Sequence, residues 1–214
     1  MIDLHTHTFF SDGALVPAEH LRRFEVLGYD AVAITDHADS SNIDFIVPRI
    51  VQAANDLNPH SKTRLIPGVE LTHVPPDLMK PLTLRARELG ALLVVGHGET
   101  PVEPVAPGTN LAAIEAGVDL LAHPGFITEA EAVLAAVKGV MLELSGRKGH
   151  SLTNGYVAQV ANKTGARLAV SSDGHDPGDF MSAERIKTVA LGAGLSEERF
   201  ATLQQNMDNL ISRL

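Results

Sequence analysis

Short, nearly all-apolar runs alternate along this chain with longer stretches in which apolar residues recur every three or four positions. The short runs predict seven β-strands: 2–5 (IDLH), 31–35 (AVAIT), 64–69 (RLIPGV), 91–96 (ALLVVG), 119–122 (DLLA), 140–144 (VMLEL) and 167–171 (RLAVS). The longer stretches predict helices at 17–28, 43–57, 78–89, 110–116, 129–137, 153–164 and 182–191. A last amphipathic helix is predicted at about 196–213. Gly28, Gly90, Gly117, Gly139 and Gly165 each follow a helical run and precede a strand, as C-terminal helix stops do. No low-complexity segment, Ser-rich linker or shift in composition divides the chain, so 1–214 reads as one domain.

Strands this apolar, each followed by a helix, belong to a parallel sheet covered on both faces or closed on itself. The polar residues decide between a doubly wound open sheet and a barrel. His5 and His7, His37, Glu70, His97, His123, Glu143, and Asp173 with His175 fall at the C-terminal ends of the seven predicted strands. An open sheet brings only the ends near its switch point together, whereas a barrel rings one site with all of them. A distorted α/β barrel of the (β/α)7, TIM-like type is therefore the expected fold.

Composition sharpens this in three places. With two Tyr, seven Phe and no Trp, the core must be built from Ala, Val, Leu and Ile. The absence of Cys excludes disulfides, thiolate metal sites and cysteine nucleophiles, and it suits a cytoplasmic protein. No basic segment leads into an apolar run at the N-terminus, and no run is long enough to span a membrane. The formal charge of −9 makes nucleic acid an unexpected partner, because backbone binding needs Lys and Arg clusters. Three divalent ions would add six positive charges and make one spot attractive to a small phosphate ester.

His5 and His7 point to the same side of a strand, and two imidazoles so close are costly unless one ligand binds both. Six histidines, two aspartates and a glutamate recur at the strand ends, and all are types that bind divalent metals. Together HTHTFFSDG (5–13), ITDH (34–37), PGVE (67–70), GHGE (96–99), AHPG (122–125) and SSDGH (171–175) resemble the PHP family, the polymerase and histidinol phosphatase domain. The resemblance implies a distorted (β/α)7 barrel with a trinuclear metal centre that hydrolyses phosphate esters. Carried over by residue, it implies that His5, His7, Glu70 and Asp173 hold a first ion. His97 and His123 would hold a second, with Glu70 bridging, and Asp12, His37 and His175 a third. Asp12 stands where several members have His; its harder oxygen favours Mn²⁺ or Mg²⁺. Two to three divalent ions (Zn, Mn or Fe) are the expected cofactors. The implied mechanism is in-line attack on phosphorus by a hydroxide shared between two ions, with Glu70, Asp173 and His175 acting through the ions they hold.

Other residues have narrower expectations. Asp3 and Asp36 are candidates to orient ligand histidines, with strand-end or cap hydrogen bonding as the alternative. Glu143 is left outside the ligand set, as a partner for Arg or Lys. Arg147, on the loop after the sixth strand, is the candidate phosphate binder, and neighbouring Lys148 reads as solvated. His73 and His150 are expected to line the substrate pocket or to have no special role, with protonation of a leaving group as the alternative, and His20 and His60 to lie on the surface. The proline-bearing segment 97–110 is expected to wall the pocket, with Glu99 and Glu103 disfavouring strongly anionic groups there.

The leading function is hydrolysis of a small phosphomonoester, as in histidinol phosphate phosphatases. The alternatives are a metal-dependent phosphodiesterase or exonuclease, an amidohydrolase-type enzyme, and a metal-stabilised structural or partner module. The missing basic clusters count against the nuclease. An amidohydrolase barrel usually adds an eighth strand and a modified lysine, and inactive modules tend to lose ligands that are all present here.

Overall fold

The computed structural model describes residues 1–214. Its strands are β1 (Ile2–Asp3), β2 (Ala31–Ile34), β3 (His37–Ala38), β4 (Arg64–Leu71), β5 (Leu93–His97), β6 (Leu120–Ala122), β7 (Met141–Ser145) and β8 (Leu168–Ser171). Its helices are α1 (Pro17–Val26), α2 (Ile43–Leu57), α3 (Pro76–Glu88), α4 (Thr109–Ala116), α5 (Glu129–Lys138), α6 (Asn154–Thr164), α7 (Ala183–Gly192) and α8 (Glu197–Ile211). Every strand pairing is parallel, in the order β1-β2-β4-β5-β6-β7-β8, with β3 pairing with β4. Because β3 resumes the path of β2 after Thr35 and Asp36, the eight segments make seven staves, as the sequence pattern predicts.

Closure is incomplete at one seam. No ladder joins β8 to β1; the two edges meet through a single Thr6–Gly174 bridge and the bond from His7 N to Gly174 O (2.9 Å). Just below it the Asp3 carboxylate stands in for a strand, accepting from Ser172 N and from His5 N at 3.2 Å. Asp3 is thus a backbone acceptor, not a partner for an imidazole. Burial pushes its carboxyl up to about 7, against the pull of these hydrogen bonds.

The strand runs are continuous because both faces are buried: outer faces pack on helices, and Ile66 and Leu93 lie on the inner face with Glu70 and His97, as strand alternation and the β4–β5 register require. Helix ends follow local chemistry. Thr128 and Glu131 form a capping box on α5, and Ser182 and Ser196 cap α7 and α8 by accepting from the backbone three residues on. No helix is long and apolar enough to cross a membrane.

One expectation fails here. His20, expected at the surface, is fully buried, because α1 turns His20, Leu21 and Phe24 inward together. Its Nε2–H donates to Thr6 Oγ1 (2.9 Å), while that hydroxyl donates to Ala33 O (2.6 Å). Its ring packs on Phe24 and Phe180, and burial lowers its pKa to about 3, so it is a neutral core residue. His60 is exposed.

Candidate metal centre

The exits of β1, β3–β6 and β8 bring the predicted residues to one place at the C-terminal face. His5 and His7 leave β1 side by side, with ring centroids 5.0 Å apart, and both are fully buried. Glu70, buried near the end of β4, lies between them and three other strand ends. Its Oε1 is 3.3 Å from His5 Nε2 and 3.8 Å from His123 Nε2; its Oε2 is 3.9 Å from His7 Nε2 and 2.6 Å from His37 Nδ1. Asp173 Oδ1 is 3.3 Å from His7 Nε2, and its Oδ2 is 3.7 Å from His123 Nε2. Asp12 Oδ1 lies 3.4 Å from His37 Nε2 and 3.2 Å from His175 Nε2. The nine residues therefore fall into overlapping groups: His7–Asp12–His37–His175, His5–His123–Asp173, His5–His7–Glu70 and Glu70–His97–His123. Relative to the expected sets, His7 also reaches the Asp12 group, and Asp173 also reaches His123.

These groups fit divalent ions better than they fit one another. Most nitrogen–oxygen separations are 3.2–3.9 Å, long for a charge-assisted hydrogen bond. Two ligands each about 2.1 Å from a tetrahedral ion lie roughly 3.4 Å apart. His5 Nε2, both ring nitrogens of His7, Nδ1 of His97 and His123, and Glu70 Oε1 are buried without a hydrogen-bond partner. Such atoms are expensive to leave unpaired.

Protonation alone leaves the cluster in conflict. Burial disfavours the His5 imidazolium, yet Glu143, Glu70 and Asp173 carry its pKa well above the usual value. Burial, reinforced by His37 and His5, drives His7 well below it, and burial with His97 does the same to His123. Glu70 opposes its own burial through His5, His97 and His37 and stays well below the carboxylate range. Burial first, with Glu70 and Glu143 adding to it, pushes Asp173 up to about 7. The backbone is strained at the same place: His123 (φ 27°), Asp173 (φ 52°) and His73 (φ 52°) are the non-glycine residues with positive φ.

The supporting residues differ from expectation in instructive ways. Glu143 pairs with neither Arg nor Lys: its Oε1 accepts from His5 Nδ1 and its Oε2 from His123 N, both at 2.9 Å. It sits inside the ring of strands, where no long cation reaches, and fixes His5 with Nε2 turned to Glu70. Asp36 does not orient His37; it accepts from the amides and hydroxyls of Thr8 and Ser11, at 2.7–3.2 Å, and so anchors the loop that carries Asp12. Glu99 does not face the pocket; its Oε1 ties Gly108 N and Asn110 N at 3.0 Å. Gly125 seals the same loop from the other side, with φ 61° and an added Cβ only 1.9 Å from Glu99 O. Gly125→Ala combines roughly 1–3 kcal/mol of backbone strain with 1–3 of overpacking. It is expected to lower the melting temperature by roughly 4–24 °C, and unchanged melting would show that the loop does not press there.

The pocket over the groups holds about 400 Å³ and is lined by twelve residues, all polar or charged except Pro104. Arg147 lines it as expected, its Nη1 donating to Asp173 O (3.2 Å) and lying 2.8 Å from His175 Nδ1, which is itself 3.0 Å from Asp173 O. Lys148 is exposed outside it. His73 and His150 line it too; His150 stacks on His123 with centroids 4.1 Å apart and bonds to Thr100 Oγ1. Glu103, expected only as a wall, lies 3.0 Å from His97 Nε2, whose hydrogen bond is the main cause holding its pKa at about 2. A cavity of about 470 Å³ between α6 and α8 includes Arg167 and Arg199 but no His or carboxylate.

Comparison with known proteins agrees with this arrangement. The family model described as PHP domain matches residues 3–137. An uncharacterized protein of Methanocaldococcus jannaschii is 44% identical over 215 residues, covering 99% of each chain. Among solved structures, a chain of an archaeal ribonuclease P with mature tRNA superposes with a TM-score of 0.73 at 15% identity, covering 98% of this chain and 89% of that one. The histidinol phosphate phosphatase of Lactococcus lactis, complexed with zinc, L-histidinol and phosphate, gives 0.56 at 16% identity, covering 91% and 94%. At such identities these two likenesses concern the fold. The family match carries most of the ligand-bearing strand ends, from His5 to His123, and on it the chain belongs to the PHP domain family.

Proposed function

We propose that the protein is a cytoplasmic, metal-dependent phosphoesterase that hydrolyses a small phosphomonoester. The observation that carries this reading is the spacing of the buried imidazole nitrogens and carboxylate oxygens around Glu70, which suits shared cations and leaves several of those atoms unpaired without them. His5, His7, Asp12, His37, Glu70, His97, His123, Asp173 and His175 would hold two to three ions, with zinc, manganese or iron suited to the mixed donor set. The zinc and phosphate in the Lactococcus lactis enzyme support both the ion class and the substrate class.

Bound divalent ions supply Lewis-acid stabilisation of phosphoryl oxygens and bring the pKa of water to about 7. The chain's own residues do the rest. Glu143 accepts the hydrogen bond of His5 Nδ1–H and keeps the proton on that nitrogen, so that Nε2 offers its lone pair to the centre. Glu70 gives one oxygen to each side of the cluster. Arg147, held by the Asp173 carbonyl, presents its guanidinium to the pocket, where it would meet a phosphate oxygen, and His175 Nδ1–H donates to the same carbonyl so that Nε2 is free for an ion. The pocket suits a small ester, and the net charge of −9 disfavours a nucleic-acid strand.

The test is elemental analysis of protein purified without chelator, with p-nitrophenyl phosphate and bis-p-nitrophenyl phosphate assayed before and after EDTA. Two to three ions per chain and monoester turnover lost to EDTA are expected. Preference for the diester overturns the monoesterase reading, and a metal-free protein overturns the centre itself.

A further inference from the structure

Two pocket residues outside the nine converge on one of them from the solvent side. His73 lies on the loop between β4 and α3, and Glu103 on the loop between β5 and α4. Glu103 Oε2 is 3.0 Å from His97 Nε2 and 3.2 Å from His73 Nε2. One ligand atom from each residue lies within 4.8 Å of the others. His97 is only 3% exposed, and its Nδ1 has no hydrogen-bond partner. Its ring stands between His123 inside, at 4.5 Å between centroids, and His73 outside, at 4.8 Å.

Glu103 is not a wandering surface acid. Pro101, Pro104 and Pro107 stiffen its loop, Glu99 ties the loop's far end, and the Thr100 hydroxyl meets His150 Nδ1 at 2.9 Å. His73 is held on the opposite wall in a left-handed conformation that a histidine adopts at a cost. The two side chains are 39% and 35% exposed, so water can complete the coordination of an ion placed between them.

We propose that His73, His97 and Glu103 form an outer cation site on the pocket wall, which takes an ion of the zinc class and shares His97 with the buried group Glu70–His97–His123. Two imidazole nitrogens and one carboxylate, with positions left to water, form a donor set that Zn²⁺ favours. The inference rests on the proposed centre only through His97. To hold both ions at once the His97 imidazole takes one at each ring nitrogen and releases its N–H proton to water; with two of the three outer ligands partly solvated as well, the outer ion exchanges readily while the buried ions stay. A substrate ammonium is the competing occupant: it can donate to Glu103 and to an imidazole nitrogen, but it takes up no zinc, so zinc uptake decides between the two.

Equilibrium dialysis against zinc chloride, followed by gel filtration, with elemental analysis at both stages, separates the two kinds of ion. Wild-type protein is expected to hold one more zinc in dialysis than after filtration. His73→Ala and Glu103→Gln each lose that equivalent, or hold it at least about tenfold more weakly, since removing even an outer partner of a metal ligand has that effect. Both variants keep the filtered metal content and the melting temperature of the wild type. The site is overturned if wild type takes no exchangeable equivalent, if either variant retains it at full affinity, or if the variants lose the filtered ions too. A protein with no filtered ions that still takes one His73-dependent zinc supports the outer site while sinking the buried centre, so the two failures are distinguishable.

Discussion

Glu70→Gln is expected to leave a folded barrel that has lost at least one ion and at least about a hundredfold in turnover, the scale on which removal of one electrostatic stabiliser acts. The substitution preserves shape, so lost packing does not account for the effect. It removes the charge that faces His5, His7, His37 and His123 and puts an amide on one side of a cluster that needs acceptors. Glu70 keeps its charge in full burial only because imidazoles surround it, and they in turn rely on it. Metal content by elemental analysis and p-nitrophenyl phosphate turnover should therefore fall together. Normal content with normal turnover would remove Glu70 from the centre.

The second large effect falls on stability. Asp36→Ala leaves the Thr8 amide and the Thr8 and Ser11 hydroxyls without their acceptor, in a surrounding that is almost dry, while Ser11 N keeps Thr8 O at 3.1 Å. With a buried donor left unmade costing about 1–3 kcal/mol, and partial relief from water at Ser11, the loss is about 3–5 kcal/mol. For a chain of this size that is a melting-temperature fall of roughly 10 °C or more. Asp36→Asn keeps one oxygen and should lose clearly less. Because the same loop carries Asp12, Asp36→Ala should also weaken binding of an ion at the Asp12–His37–His175 group. Equal melting of both variants and wild type would show that the loop holds itself.

The barrel could be read along the chain because each stave and each helix carries its own periodicity. Predicted and observed ends differ by one or two residues, as at β4, which runs on to Leu71, or α3, which starts at Pro76. The strand-end histidines were legible for the same reason: a polar residue closing an apolar run stands out. What escaped was every partner reached by folding back. Asp36 serves the loop at Thr8 and Ser11, Glu143 serves β1 and the turn after β6, and Glu99 serves its own loop's far end. His20 stands one turn before Phe24, so the helical spacing already puts it on the buried face; its polar side chain hides that, and only Phe24 and Phe180 closing over the ring make it plain. Glu103 gave no signal beyond lying in a proline-bearing loop.

The incomplete seam bears on how the protein is made. His5 and His7 stand on one side of it, and Asp173 and His175 on the other, joined by no strand ladder but by the Thr6–Gly174 bridge and a few single bonds such as Ala14 N to His175 O. On a ribosome the first histidines emerge long before their partners, so, if the proposed centre binds ions, a nascent chain would carry half of it until its last stave follows. An ion seated across the gap ties the two ends of the chain together, as a disulfide would in a sequence that has no cysteine. Metal supply during synthesis would then act on folding yield as well as on turnover.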